Sequence, residues 1–185
     1  FSALGEVLDP FEIDECGTSF KQNALIKVRA VYEALKSKNL QSEFFVLSDD
    51  SGICVDALGG APGIFSARFS GAGATDASNR YKLASELRAL NLDSSPAHYT
   101  AAIALKCDLG EFCTHGFMHG TAITQQRGQN GFGYDFMFIP RGFDRTIGEL
   151  PAAVKFKISH RTKGLALMRI LLKNLEKQMR VAKFH

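Results

Sequence analysis

Two adjacent carboxylates, Asp49 and Asp50, follow the apolar run Phe44–Leu47 and lead into Ser51 and Gly52. An apolar run that ends in acids reads as a buried strand with acidic groups at its tip. Strand ends are where α/β proteins gather ligand chemistry. Two carboxylates, a hydroxyl and a glycine suit Mg²⁺ with a phosphate, because magnesium takes one or two carboxylates and lets substrate phosphates complete its shell. The same four residues are turn formers, so an ordinary turn is the competing reading. The next stretch favours the anionic ligand. Gly59, Gly60, Pro62 and Gly63 are followed by Ser66, Arg68, Ser70 and Gly71, and bare backbone and guanidinium both approach phosphate closely.

Other groups admit two readings each. Glu12, Asp14 and Glu15 precede the first helical segment, where acids are favoured by the helix dipole whatever else they do. Lys27 lies in that segment near Lys21 and Arg29, where a lysine is ordinarily just solvated. Phe132 stands between Gly131 and Gly133. Packing is the usual duty of an aromatic, yet flanking glycines also clear space for a ring to stack on a base. Lys155, Lys157, His160 and Arg161 form a basic run, read alone as a charged helix start.

Three tempting patterns carry less. His115 and His119 would share a zinc on a helix, but Gly116 and Gly120 disfavour one. On a strand the two histidines stand ~13 Å apart, so neither is read as a ligand. Asp50-Ser51-Gly52 also matches the D-S/T-G core of aspartic proteases, whose chemistry needs a carboxylate dyad. A single copy would demand a dimer with the dyad on its axis. No Walker A pattern is present, so phosphate binding must use another device.

The elements that position these groups follow from periodicity. Thr18–Leu35 carries Phe20, Leu25, Val28, Val31, Tyr32 and Leu35 at helical spacing, with Thr18 as cap. Asp76–Leu90 is a second helix with Leu83, Leu87 and Leu90 inward. Thr162–Met179 is a terminal one, with Leu165, Met168, Leu172 and Leu175 on one side. Strands are expected at Phe44–Leu47, Ile53–Ala57, Tyr99–Leu105, Phe112–His119 and Tyr134–Ile139, with a hairpin turn at Asp108–Gly110. The expected class is α/β, a mixed twisted sheet flanked by helices.

The chain has 185 residues, 45% of them hydrophobic and 22% charged, which suggests one domain over residues 1–185. Its net charge of +3 tolerates a polyanionic small ligand and is too weak to argue for nucleic acid. No apolar run approaches a membrane span. The cysteines Cys16, Cys54, Cys107 and Cys113 form no C-x-x-C pair. Cys107 and Cys113 could meet across the hairpin, but reduced thiols and a cytoplasmic setting are the expectation.

Three blocks resemble the inosine/xanthosine triphosphate pyrophosphatase family, house-cleaning nucleotide hydrolases. The central block is Asp49-Asp50-Ser51-Gly52, then Leu58-Gly59-Gly60-Ala61-Pro62-Gly63, then Ser66-Ala67-Arg68-Phe69-Ser70-Gly71. Thr18-Ser19-Phe20 through Asn23-Ala24-Leu25-Ile26-Lys27 is similar to the family's T-x-F-x-x-N-A-x-x-K helix. Gly131-Phe132-Gly133-Tyr134-Asp135 and Ser159-His160-Arg161 match its GFGYD and SHR motifs. The likeness spans essentially the whole chain.

The resemblance implies hydrolysis of ITP, dITP or XTP to the monophosphate and pyrophosphate. It further implies attack at the α-phosphorus, a substrate cleft between two lobes, and a homodimer. It implies that Glu15 and Asp50 hold Mg²⁺, with Asp50 as general base. Lys27 would be a catalytic residue contacting phosphate, and Asn23, Ser51 and Arg68 would bind substrate. Phe132, Gly133, Tyr134, Asp135 and Lys155 would line the substrate site. His160 and Arg161 would donate to the 6-keto oxygen of the purine. That donor set fits the chemistry: adenine presents an amino group at position 6, and unpaired buried donors cost about 1–3 kcal/mol each. Guanine shares the 6-keto group, so its rejection needs another device.

Two departures stand out. Val154 replaces an acidic residue usual before the lysine of the last motif. The family's opening strand and its S/T-x-N-x-x-K loop are absent, and the chain opens at Phe1, so a longer polypeptide is expected. The alternatives are a related pyrophosphatase with another base preference, such as the septum-formation-inhibitor-like family, and a non-catalytic nucleotide-binding module.

Overall fold

Strand β1, Val46–Val55, runs unbroken through Asp49-Asp50-Ser51-Gly52. The computed structural model describes residues 2–182; Phe1 and residues 183–185 of the single-domain span read from the sequence lie outside the described residues. The carboxylates are therefore mid-strand, not at a tip, and the two short strands expected around them are one. The reason is pairing. Asp49 to Gly52 face Ile103 to Thr100 of β2 (Ser94–Cys107) in an uninterrupted antiparallel register. Gly52 supplies close approach rather than a turn: a Cβ there would lie 2.4 Å from both the Gly63 carbonyl oxygen and Ser66 Oγ.

β2 turns back into β3 (Gly110–Ile123), and β3 pairs with the short β4 (Phe138–Pro140), giving the order β1-β2-β3-β4. The hairpin is the one expected, lengthened at both ends. Among the described residues every pairing is antiparallel, where the sequence reading expected a mixed sheet; the α/β class stands. The strand expected over Tyr134–Ile139 shrinks to three residues because Asp135–Met137 coils into a 3₁₀ turn.

Residues of a strand alternate between faces, and each face of this sheet has its own helix. After the short α1 (Leu4–Val7) comes α2 (Phe20–Ser37), capped by Ser19, whose Oγ accepts from Gln22 N–H at 3.2 Å. The cap is one residue later than the expected Thr18. Ala24, Val28 and Leu35 pack on Val46, Ala102 and Ala104. On the opposite face α5 (His160–Ala182), which follows the one-residue break after α4 (Ala152–Ile158), seats Met168 and Leu175 on Ala101, Ile103 and Leu105. A Cβ at Gly116 of β3 would lie 2.0 Å from the His160 carbonyl oxygen. That glycine lets the first turn of α5 lie directly on the sheet.

Helix α3 (Asp76–Ala89) buries Leu83 and Leu87 with Ile53, Val55, Tyr99, Met118 and Phe138. Removing either leucine to Ala costs about 2–5 kcal/mol. Leu90 and Leu165, expected inward, are half-exposed. Leu90 lies just past the end of α3, and Leu165 lines a cleft. All four cysteines are free. Cys113 faces Ala104 in the hairpin register and Cys107 faces Gly110, so no disulfide forms. Among the described residues no helix is long and apolar enough to cross a membrane.

Candidate active site

On the α2 face, Lys27 Nζ stands 3.1 Å from Glu15 Oε2 and 3.4 Å from Asp50 Oδ1. Two of the expected carboxylates are thus brought onto the ammonium group of a third expected residue. Asn23, one turn before Lys27 and fully buried, accepts the Gly17 N–H on Oδ1 at 2.8 Å. It braces the extended segment that carries Glu15 against the helix. Burial raises the Asp50 carboxyl above the ordinary carboxylate range, and the neighbouring Lys27 charge opposes that rise.

Among the described residues Asp50 Oδ2 and Asn23 Nδ2 are buried without a partner at hydrogen-bond geometry, although the Asn23 amide lies near enough to Asp50 to favour its charged form. A buried carboxylate oxygen without a full partner is costly, and Glu15 and Asp50 are the two groups here that could hold a hard cation. Among the described residues no group of three or more His, Cys, Asp or Glu side chains is placed to hold a metal ion. Two carboxylates with open positions left for substrate oxygens suit magnesium. Arg68 ends the 3₁₀ turn Gly63–Arg68 and lines an open depression with Glu12, Asp14 and Glu15. Its guanidinium lies over the Phe65 ring, 5.1 Å from the centroid.

On the opposite face lies a cleft of about 520 Å³ that receives Ser51, Phe132, Gly133, Tyr134, Asp135, Lys155, His160 and Arg161. Ser66 and Ala67 of the same 3₁₀ turn also line it, so that turn borders both the cleft and the depression. His160 opens α5 and is buried, with its ring stacked on Tyr99 at 4.8 Å and 12°. Burial, helped by Arg161, pushes its pKa down to about 3. The imidazole is neutral at physiological pH, with one donor and one acceptor nitrogen, and Nδ1 is buried without a partner among the described residues. Ser159 Oγ accepts from Thr162 N–H at 3.1 Å, which caps α5 and separates it from the α4 helix bearing Lys155.

Phe132 is 58% exposed. Lys155 Nζ lies 4.3 Å from its centroid and Arg161 Cζ 6.0 Å, so cations already favour that ring electrostatically. Asp135 is buried, accepts the Phe132 N–H at 2.9 Å and forms a close ion pair with Lys155. The Tyr134 hydroxyl donates to the Ser66 carbonyl at 2.9 Å. Asp135 and Tyr134 therefore brace the cleft wall.

Sequence reasoning left Tyr99, Asp76 and Arg80 without a role, and it set Asp49 beside Asp50 as a magnesium seat, which the opposite faces of β1 rule out. Asp49 Oδ2 accepts from Arg161 Nε at 2.8 Å; its signal was its place beside Asp50, on the alternate face. Tyr99 gave only an apolar strand signal. Asp76 and Arg80 of α3 grip the Gly133 backbone, and nothing local in the sequence connects residues that far apart.

Comparison with known proteins identifies the family. The Ham1 family profile matches residues 1–171. A protein of Campylobacter hominis named dITP/XTP pyrophosphatase is 62% identical over 178 residues, covering 95% of this chain and 86% of its own length. One of Nautilia profundicola with the same name is 56% identical over 170 residues, with 92% and 84% covered. The Ham1 protein of Staphylococcus aureus superposes with a TM-score of 0.82 at 32% identity, covering 92% of this chain and 85% of that one. A Mycobacterium abscessus structure described as nucleoside-triphosphatase / dITP/XTP pyrophosphatase gives 0.70 at 39% identity, with 89% and 81% covered. By its profile, its sequence and its fold, this chain belongs to the Ham1 family.

Proposed function

We propose that this chain is a nucleoside triphosphate pyrophosphatase that hydrolyses deaminated purine nucleotides (ITP, dITP and XTP) to the monophosphate and pyrophosphate. The observation that carries the reading is the division made by β1. A carboxylate–lysine cluster lies on one face and a cleft with neutral and cationic donors on the other. A cleft of about 520 Å³ is within the range that encloses small ligands.

Asp50 is the general base. Burial strengthens it as a proton acceptor, and it takes a proton from a water that attacks the α-phosphorus. The new O–P bond forms as the α,β-bridging P–O bond breaks and pyrophosphate leaves. Glu15 and Asp50 would hold Mg²⁺, which when bound would supply charge stabilisation for the departing diphosphate. Lys27 orients both carboxylates, with Arg68 on the same side, and both meet phosphate oxygens. Asn23 keeps the Glu15 segment against α2. On the other face Ser51, Gly133, Tyr134 and Asp135 shape the cleft. Phe132 stacks on the base, Lys155 contacts the substrate, and His160 and Arg161 donate to the 6-keto oxygen. A homodimer acting in the cytoplasm completes the proposal.

Phosphorus NMR of an ITP digest tests the reaction. Inosine monophosphate with pyrophosphate is expected. Inosine diphosphate with inorganic phosphate would move the attack to the γ-phosphorus and overturn the role given to Asp50.

A further inference from the structure

We infer that Asp76 and Arg80 of α3 are positioning residues that hold the Phe132 platform in place by clamping the backbone of Gly133 from both sides. This rests on the reading of the cleft as the purine site. Asp76 Oδ2 accepts the Gly133 N–H at 2.7 Å. Arg80 Nη1 donates to the Gly133 carbonyl at 2.8 Å. One residue of the loop, adjacent to the exposed ring, is thus tied at both its donor and its acceptor to a single turn of one helix.

The clamp has supports of its own. Arg80 Nε donates to Gln126 Oε1 at 2.7 Å, and its guanidinium lies over the Phe136 ring, 4.7 Å from the centroid. Leu83, Ala84 and Leu87 anchor α3 in the core. The helix start is fixed by a Thr75–Ser78 capping box. Asp76 follows that cap directly, and its carboxylate is spent on a loop 57 residues away in sequence.

The same helix controls a second wall of the cleft. Asn79, buried between Asp76 and Arg80, accepts the Ser70 N–H at 2.8 Å and donates to the Ala67 carbonyl at 3.0 Å. Three residues in one turn of α3 therefore set the loop bearing Phe132 and the turn bearing Ser66 and Ala67 relative to each other. Binding to a pre-set platform avoids the cost of ordering it, so loss of the clamp weakens substrate binding more than chemistry.

The chain contains no tryptophan, which makes Phe132→Trp a unique optical reporter. Acrylamide quenching of that indole is measured in the parent, Asp76→Ala and Asp76→Asn backgrounds. KM and kcat for ITP are measured in the same backgrounds with Phe132 intact. Asp76→Ala is expected to raise the quenching constant about twofold or more. It should raise KM about tenfold, the order expected for one lost charge-assisted hydrogen bond, with kcat within about twofold. Asp76→Asn retains an acceptor and should recover most of both effects. Unchanged quenching, an Asn variant no better than Ala, or a fall in kcat at constant KM would each overturn the clamp. If Asp76→Ala does not fold, Arg80→Met keeps an aliphatic stem in place of the Arg80 one and decides the matter by the same measurements. A parent protein that leaves ITP intact would refute the proposed function, while the quenching would still report on the clamp.

Discussion

Asp49 and Asp50 are neighbours in β1, yet their carboxylates leave opposite faces of the sheet: Asp49 meets Arg161 Nε at 2.8 Å and Asp50 meets Lys27 Nζ at 3.4 Å. One strand thereby presents a carboxylate to the proposed chemical site and the next carboxylate to the proposed base site. A shift of β1 by one residue would exchange them. The unbroken pairing with β2 prevents that.

Asp50→Asn retains the shape of the side chain and removes its basicity and charge. Steady-state turnover of ITP in Mg²⁺ should fall at least about a hundredfold, the lower range for losing a general base. Turnover near the parent value would exclude Asp50 as the base.

Arg161→Ala should erode the preference for ITP over ATP, read as the ratio of kcat/KM values. Asp49→Ala should do the same more weakly, because it frees the guanidinium that it holds. In the double variant the effects should not add, as expected for residues acting through one contact. A preference unchanged by Arg161→Ala would place base selection on other residues.

Lys27→Ala should weaken ITP and XTP alike, because the ammonium sits with Glu15 and Asp50, across the sheet from the base cleft. Measured with both substrates, the kcat/KM ratio should stay constant. A change confined to one of them contradicts a phosphate-side role.

His160 gives a dependence of stability on pH. Its imidazole titrates near 6.5 when unfolded, and burial, reinforced by Arg161, Lys155 and Lys163 against Asp49, lowers it to about 3 in the fold. Between those values the unfolded state binds more protons, so stability falls as pH falls. The contribution of the neutral ring is complete above pH 6.5 and is lost progressively toward pH 3. Urea unfolding from pH 7 to pH 4 should therefore show a shallower slope for His160→Gln than for the parent. Parallel curves would mean that the ring charges freely in the folded state.

What was legible in the sequence was local. The hydrophobic spacing of Val28 and Leu35, and of Leu83 and Leu87, identified α2 and α3 because those side chains face the core at helical period. Glu15, Lys27 and Asp50 were legible through motif resemblance and converge in the fold. The reading of Asp49-Asp50-Ser51-Gly52 as a strand tip failed because turn-forming residues can run through a strand when its acidic side chains find cations on their own faces. Here Lys27 and Arg161 are those cations. The strand expected at Tyr134 began late because Asp135 folds back to the Phe132 N–H. Asp76, Asn79 and Arg80 were not legible as cleft supports: their contacts depend on where α3 crosses two distant loops, and no local period records that.

Release of pyrophosphate from ITP, XTP, dITP, GTP and ATP, assayed side by side with Mg²⁺, tests the central claim most directly. The account predicts efficient release from ITP, XTP and dITP, with ATP at least about tenfold poorer in kcat/KM. That factor corresponds to leaving one buried donor unpaired opposite the adenine amino group. Equal rates for ATP and ITP, or no release from any of the five, would contradict it.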